Sequence, residues 1–482
     1  MPDESRNTVK NLIWRFLERC GAQGVTFIVS VVLARLLEPT VYGMVALVTV
    51  FTTIMQVFVD SGMGNALIQK KNADNLDFSS VFWFNIVCSA VLYTVMFFVA
   101  PLIAGFYENQ ELVPVIRVLG LMLFISGIKN VQQAYVSRHM MFRKFFFSTL
   151  GGTLGAAVVG IGMALAGFGV WALVSQMLFN ALVDTVILWI TVKWRPEFTF
   201  SLRRLRVLFS YGWKLLVSSL IATVYEDLRQ LIIGKRYSSS DLAYYNKGNQ
   251  FPSLIVTNVN TSIDSVLLPA MSKAQDDRER IKAMTRRAIK TSSYIMAPLM
   301  IGLAVCAEPI VRLLLTEKWL ECIPFLRIFC ITYLFYPIHT ANLNAIKAMG
   351  RSDLFLKLEI AKKTIGVLLV LCTMWISVEA MAYSLLISTL ASTVINAFPN
   401  KKLLDYSWFE QMKDILPNCG LALIMGIPVL LMGYLPLPTV IVLISQIACG
   451  ALLYIGLSVL FRLEALRYLQ GIIRSFIRKK KA

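Results

Sequence analysis

Long apolar stretches separated by short polar connections recur along the whole chain. Fourteen of them have the length of a membrane-spanning helix, which needs about 20 mostly apolar residues. They lie at about 12–36, 41–66, 79–104, 113–137, 147–168, 170–192, 211–233, 248–271, 291–315, 322–346, 354–376, 378–398, 414–433 and 438–461. This pattern predicts an all-α, polytopic membrane protein with about 14 transmembrane helices. Residues 1–10 lack the apolar core of a signal peptide, so we expect no removable leader.

Positive charge alternates from one connection to the next. If the N-terminus is cytoplasmic, the inner segments contain 32 Lys and Arg residues and the outer connections contain 4. Cytoplasmic loops of membrane proteins are enriched in these two residue types. The alternation therefore predicts that both the N- and the C-terminus are cytoplasmic.

Composition supports the same class of protein. The 482 residues include 47 Lys and Arg against 28 Asp and Glu, a net charge of +19, yet 57% of the chain is hydrophobic and 16% is charged. Soluble domains are about 45–50% apolar and about 25% charged, which excludes an ordinary soluble enzyme. Because the basic residues follow the membrane topology, we expect no nucleic-acid partner. The basic tail from Arg474 to Ala482 is either a topology anchor or a site for anionic membrane lipids.

Short motifs repeat at an offset of about 210 residues. The matching pairs are Pro114-Val-Ile-Arg117 with Pro324-Phe-Leu-Arg327, and Arg138-His-Met-Met-Phe142-Arg-Lys144 with Arg351-Ser-Asp-Leu-Phe355-Leu-Lys357. An even number of helices separates the copies, so both copies cross the membrane in the same direction. We therefore predict two parallel six-helix lobes, residues 1–200 and 201–400, followed by residues 401–482 with two further helices and the tail. Transporters with such repeats bind substrate between them.

Sequence motifs for catalysis are missing. There is no Gly-x-x-x-x-Gly-Lys-Ser/Thr phosphate loop, no His-Glu-x-x-His and no Cys-x-x-Cys, and only two histidines occur, His139 and His339. The eight cysteines lie in or beside apolar stretches, as small hydrophobic residues do. No connection approaches the length of about 50 residues that a soluble domain needs. We expect no cofactor, no metal site and no enzymatic activity.

Cations inside the apolar stretches carry the functional information. Each costs about 2.5–3.5 kcal/mol at a helix centre, so it needs a partner or a path to water. Five lie near helix ends and can extend to the membrane surface: Arg35, Arg117, Lys214, Arg312 and Arg327. Five lie deeper in the cytoplasmic half: Arg15, Arg19, Lys129, Lys362 and Lys363. The deep set forms either interhelical salt bridges or a site for a phosphate or pyrophosphate headgroup.

Carboxylates inside the stretches are fewer. The candidates for ion coupling or charge pairing are Glu18, Asp60, Glu226, Asp227 and Glu359. Glu18 and Glu359 each lie within one helical turn of deep cations, and Glu226 and Asp227 lie next to Arg229, which favours ion pairing. Asp60 lies near a predicted inner helix end. A carboxylate in a cleft can also exchange a proton or hold Na⁺.

A group of short motifs resembles a known family. The motifs include Leu33-Ala-Arg-Leu-Leu-Glu-Pro39, Val59-Asp-Ser-Gly62, Ala66-Leu-Ile-Gln-Lys70, Leu267-Leu-Pro-Ala-Met-Ser272, Glu317-Lys-Trp319 and Gly350-Arg-Ser-Asp353. Together they resemble the polysaccharide transporters of the multidrug/oligosaccharidyl-lipid/polysaccharide exporter superfamily. The similarity is to the lipopolysaccharide, colanic-acid and teichuronic-acid type, over about residues 10–400.

The resemblance implies a function. It implies a flippase of the bacterial cytoplasmic membrane that moves polyprenyl-pyrophosphate-linked oligosaccharide by alternating access, with polysaccharide polymerase and glycosyltransferases as partners. Related lipid II flippases carry a charged cluster in the first helix, and Arg15, Glu18 and Arg19 match it in position and character. Glu226-Asp227-Leu-Arg229 departs from the Asn-Asp common in the family. The alternatives are a cation-coupled multidrug antiporter, which the surplus of deep cations disfavours, and a membrane polymerase, for which the outer loops are too short.

Overall fold

The computed structural model describes residues 21–60 and 62–471, and the first half of this range consists of helices joined by short connections. Their bounds are α1 Gly21–Leu36, α2 Pro39–Asp60, α3 Met63–Gln69, α4 Asn75–Phe106, α5 Leu112–Leu119, α6 Met122–Arg138, α7 Phe142–Leu165, α8 Val170–Thr191 and α9 Leu202–Arg236.

The second half repeats this character. Its helices are α10 Ser239–Ser272, α11 Arg278–Val305, α12 Ala307–Leu314, α13 Ile323–Leu334, α14 Tyr336–Ala348, α15 Ser352–Thr373, α16 Val378–Leu404, α17 Trp408–Met432 and α18 Thr439–Leu460. A 3-10 helix at Glu317–Cys322 precedes α13, and residues 464–471 are helical.

Twelve helical segments in the described residues are long and apolar enough to cross a membrane. The two remaining predicted spans correspond to α1, of which Gly21–Leu36 is described, and to α15, whose 22 residues match the length of a span but include several charges. The fold class predicted from the sequence, an all-α polytopic membrane protein, is confirmed.

Polar side chains fix where several of these helices begin. Asp74 and Asp77 form a reciprocal capping box at the start of α4, and Ser407 and Glu410 form another at the start of α17. Ser377 accepts a hydrogen bond from the Ala380 amide at the start of α16. Such caps pair amide groups that the first helical turn leaves without partners.

The chain divides into two compact units, Met1–Ala243 and Tyr244–Ala482. The first unit includes α9, which packs against α2, α3 and α4. The lobe boundaries predicted near residues 200 and 400 stay a prediction.

Close backbone approach holds α9 and the start of α10 against α2 within the first unit. A Cβ atom on Gly43 would lie 1.7 Å from the carbonyl oxygen of Ser239, so only glycine fits there. Gly62 has a φ of +66°, and a Cβ atom on it would lie 2.5 Å from the carbonyl oxygen of Gly212. Glycine meets both requirements because it lacks the Cβ atom that restricts other residues.

Local details recur at the positions of the sequence repeat. In the first unit, Arg117 of α5 donates from Nε to the carbonyl oxygen of Phe97 at 3.4 Å. In the second unit, Arg327 of α13 donates from Nε to the carbonyl oxygen of Ala304 at 3.3 Å. The span breaks after α5 and again after α13, between two shorter helices in each case. The motif similarity at an offset of 210 residues thus corresponds to similar local structure.

Candidate functional site

Lys129 forms an ion pair between helices. Its Nζ in α6 lies 2.5 Å from Oδ2 of Asp184 in α8, and the two side chains are 21% and 12% exposed. The second carboxylate oxygen of Asp184 is buried and has no hydrogen-bond partner among the described residues. The interhelical salt bridge left open by the sequence is therefore the arrangement in this structure.

Asp60 ends α2 beside this pair. Its Oδ1 accepts a hydrogen bond from the Asn130 side chain, one residue beyond Lys129 on α6. Electrostatic attraction also acts between Asp60 and Lys129. The first unit therefore groups two carboxylates and one lysine around α6, and a single cation does not neutralise both acids if both are ionised.

Lys362 and Glu359 pair within one helix. The Lys362 Nζ lies 2.5 Å from Oε1 of Glu359, three residues earlier on α15, and the side chains are 14% and 30% exposed. Lys363 is half-buried on the following position. Two lysines therefore lie at adjacent positions on this part of α15. Lysine ammonium groups form strong, charge-assisted hydrogen bonds with phosphate oxygens.

The charged residues of α9 do not form the predicted arrangement. Glu226 is exposed, while Asp227 accepts a hydrogen bond from Gln230 at 2.9 Å. Arg229 is 5% exposed, and its Nε and Nη2 have no hydrogen-bond partner among the described residues. The ion pairs that the sequence favoured, between Arg229 and its neighbours Glu226 and Asp227, do not form among these described residues.

The charged cluster predicted in the first helix, Arg15, Glu18 and Arg19, lies outside the described residues. Among cations predicted near helix ends, Arg312 pairs with Glu308 at 3.1 Å and with Glu317 at 2.8 Å. Arg35 and Lys214 have exposed side chains. These positions agree with side chains that extend toward the membrane surface.

Sequence reasoning did not identify one polar cavity in the first unit. It has a volume of about 310 Å³ and lies between α2, α3, α6 and α9. Its polar lining includes Asp60, Asn65, Asn130, Gln133, Ser137 and Ser219. Amides and hydroxyls within apolar stretches were the available signal, because buried polar groups in a membrane need partners.

A second feature missed from the sequence is a polar network in the second unit. Arg286 of α11 binds Asp414 of α17 through two hydrogen bonds of 2.7 and 2.8 Å, and the Tyr406 hydroxyl donates to the same carboxylate at 2.8 Å. Nearby, Asn342 bonds to Gln411 and Asn400. These hydrogen bonds connect α11, α14, α16 and α17, so the polar side chains that make them have a structural role in holding the helices together.

No group of three His, Cys, Asp or Glu side chains within 21–60 and 62–471 is placed to hold a metal ion. Seven cysteines in this range are free thiols: Cys88, Cys306, Cys322, Cys330, Cys372, Cys419 and Cys449.

Comparison with known proteins places these features in context. Residues 32–324, more than half of the chain, match the family described as polysaccharide biosynthesis protein. The teichuronic acid biosynthesis protein TuaB of Bacillus subtilis (strain 168) is 28% identical over 310 residues, which cover 63% of each chain. The succinoglycan biosynthesis transport protein ExoT of Rhizobium meliloti (strain 1021) is 27% identical over 323 residues, 67% of this chain and 65% of the relative. Both matches span less than two thirds of the relatives' own length.

A solved structure shares the fold. The lipid II flippase MurJ in an inward closed conformation aligns with a TM-score of 0.76 and 16% sequence identity, covering 94% of this chain and 99% of that chain. At this level of identity the likeness concerns the fold.

Proposed function

Since the chain belongs to the polysaccharide biosynthesis protein family, we propose that it is a flippase for polyprenyl-pyrophosphate-linked oligosaccharide. It moves these units across the cytoplasmic membrane by alternating access, for the synthesis of a surface polysaccharide. The family match carries the proposal, and the names of TuaB, a teichuronic acid biosynthesis protein, and ExoT, a succinoglycan biosynthesis transport protein, support it. Transport without a covalent reaction is consistent with the ion pairs and hydrogen bonds described above.

The deep cations are assigned to the pyrophosphate. Lys362 and Lys363 on α15 are the best supported, because their ammonium groups come from adjacent positions and, among the described residues, Lys362 pairs only within its own helix, with Glu359. Arg15 and Arg19 complete the set, and a guanidinium can bind a phosphate group through two hydrogen bonds. Lys129 has to exchange Asp184 for the substrate if it takes part.

Ion coupling is assigned to the carboxylates. Asp60 beside the Lys129–Asp184 pair is the best placed, since a group with two acids and one lysine can gain and lose a proton. Glu18, Glu226, Asp227 and Glu359 are further candidates. Protonation at such a group changes its net charge, and that change favours one conformation of a transporter over another.

The proposed setting is the bacterial cytoplasmic membrane, with both termini in the cytoplasm. The alternation of 32 inner against 4 outer cations supports this orientation. Glycosyltransferases would supply the lipid-linked substrate at the inner surface, and a polysaccharide polymerase would consume it at the outer surface.

The test is a strain that lacks this gene and is complemented with variants. Lys362→Ala combined with Lys363→Ala should abolish surface polysaccharide, and lipid-linked oligosaccharide should accumulate on the inner leaflet. Lys357→Ala is the matched control, because Lys357 is an exposed lysine on the same helix. Protein level in the membrane is measured for each variant.

Normal surface polysaccharide in the double variant would refute the assignment of these lysines. Normal polysaccharide in the deletion strain, together with increased sensitivity to cationic drugs, would favour a multidrug antiporter instead.

A further inference from the structure

The polar cavity of the first unit lies near the ends of α3 and α6; Lys70 and Lys71 follow α3, and Arg138 is the last residue of α6. The charge pattern predicts that these ends face the cytoplasm. Four helices contribute to the walls, and the volume of about 310 Å³ is at the lower end of the range for small-molecule sites, about 300–1,000 Å³. A cavity of this kind fits a compact polar group better than an extended chain.

The lining identifies the chemistry of that group. Among the described residues of the cavity wall, Asp60 is the only one with a formally charged side chain, and the other polar groups are three amides and two hydroxyls. Carboxylates accept hydrogen bonds, whereas amides and hydroxyls both donate and accept them. A ligand that matches this set presents several groups that can both donate and accept, and hydroxyl groups have that property.

Charge argues against an anion in the cavity. The Asp60 carboxylate in the wall would repel it, and no cationic side chain belongs to the described lining. Two lysines from neighbouring segments already have carboxylate partners: Lys129 pairs with Asp184 at 2.5 Å, and Lys70 pairs with Asp77 at 2.6 Å. The pyrophosphate would therefore find little attraction there.

Charge also argues against a metal cation. The described wall provides one carboxylate, and one of its oxygens accepts a hydrogen bond from Asn130. Calcium sites use six to eight oxygen ligands, often from several carboxylates. A neutral ligand rich in hydroxyl groups remains as the class that agrees with both the lining and the volume.

We propose that this cavity is a sugar-binding subsite, which holds a sugar ring of the lipid-linked oligosaccharide. This inference rests on the proposed flippase function. In the subsite, Asp60 accepts hydrogen bonds from sugar hydroxyls, and the Asn130 amide holds its carboxylate in position. Asn65 and Gln133 complete the contacts from α3 and α6.

Replacing one glycine of the wall with a larger residue can fill the cavity, which makes its role testable. Gly64 lies on the wall, and a Cβ atom added there would have no heavy atom within 4 Å. A leucine at this position can therefore occupy the cavity without displacing backbone. Gly162 on α7 also has open space around an added Cβ atom and does not line the cavity, which makes Gly162→Leu a matched control.

The experiment measures binding to the full-length chain in lipid nanodiscs. The probes are undecaprenyl pyrophosphate without sugar, and undecaprenyl pyrophosphate bearing a single glucose, galactose or N-acetylglucosamine. We expect the wild type to bind at least one sugar-bearing lipid about tenfold more tightly than the bare lipid, which corresponds to about 1.4 kcal/mol. Gly64→Leu and Gln133→Leu should bind both lipids equally, and Gly162→Leu should retain the preference.

Each other result overturns the inference. Equal affinity of the wild type for bare and sugar-bearing lipids would show that no sugar subsite exists. A preference retained in both cavity variants, after size-exclusion chromatography has shown that they are folded, would place the subsite elsewhere. A wild type that binds neither class of lipid would refute the flippase function and the subsite with it, whereas binding without a preference would refute the subsite alone.

Discussion

The two compact units hold their deep lysines in different ways. In the first unit, Lys129 reaches across to Asp184 on another helix, and the carboxylate is 12% exposed. In the second unit, Lys362 pairs with Glu359 three residues away on its own helix, and that carboxylate is 30% exposed. The ion-pair distance is 2.5 Å in both cases. Only the first of these two pairs connects two helices.

This difference separates a structural role from a binding role. When a lysine that connects helices binds substrate instead, it leaves a buried carboxylate without a cation, which costs several kcal/mol. A lysine that pairs within one turn of its own helix keeps its partner nearby in every conformation. It can therefore turn toward the substrate at little cost in free energy. The predictions below test this contrast in order of decreasing effect.

The largest effect is expected for Lys129→Ala. It leaves Asp184 buried without a cation, and removing one partner of a buried pair typically costs about 3–5 kcal/mol. Thermal unfolding of the purified protein in detergent, followed by tryptophan fluorescence, measures the loss of stability.

A double variant gives the control for this prediction. Lys129→Met combined with Asp184→Leu removes both charges and keeps apolar volume, so stability should return to within about 1 kcal/mol of the wild type. A single variant as stable as the wild type would show that the pair contributes nothing, and the contrast between the units would then fail.

A smaller loss is expected for Asp414→Ala in the second unit. The Asp414 carboxylate is buried, but the Arg286 side chain that binds it is 52% exposed. The arginine left behind can therefore be solvated, and the loss should be about 1.5–3 kcal/mol, the range for hydrogen bonds to charged groups. The same unfolding assay measures it, with Lys413→Ala as a neighbouring control. A loss equal to that of Lys129→Ala would mean that solvent access to the remaining partner does not matter.

The sequence was sufficient for the fold but not for the pairing of its charges. Hydrophobic stretches of span length are a local property, so they predicted helical spans without knowledge of their packing, and twelve helical segments of this kind lie in the described residues. The breaks that divide several spans into shorter helices were not predicted. The Lys362–Glu359 pair was also predictable, because residues three apart share a helix face. The partner of Lys129 is 55 residues away, and nothing in the sequence relates α6 to α8.

The same reason explains the cavity that the sequence missed. Asn65, Asn130 and Ser219 come from three helices, and each alone is an ordinary polar residue in an apolar stretch. Their proximity depends on packing, which includes the close approach at Gly62. The repeat was easier to detect, since Arg117 and Arg327 each follow a proline by three residues within similar apolar sequence. The two arginines also make the same kind of hydrogen bond.

Lys362→Ala should change stability by no more than about 1 kcal/mol, the upper range for exposed ion pairs. Glu359 is 30% exposed, against 12% for Asp184, so losing its lysine leaves a less deeply buried carboxylate. Unfolding is measured beside Lys129→Ala under identical conditions. A loss above about 3 kcal/mol would give both pairs the same structural role and would remove the basis for assigning Lys362 to substrate.

The smallest effect concerns Lys290, a single lysine shared by a buried and an exposed partner. Its Nζ lies 3.4 Å from Asp414 and 2.6 Å from Glu464, whose side chain is exposed. The hydrogen bond from Lys290 lowers the pKa of Glu464 below its ordinary value of 4.5. A carboxyl group with a lowered pKa in the folded state stabilises the protein above its unfolded pKa, and this contribution is lost as the pH falls through the folded value. Glu464→Gln should therefore cost about 0.2–1 kcal/mol at pH 7 and nothing once the pH is well below 4.5. A difference from the wild type that persists in acid would show that Glu464 acts through packing and not through its charge.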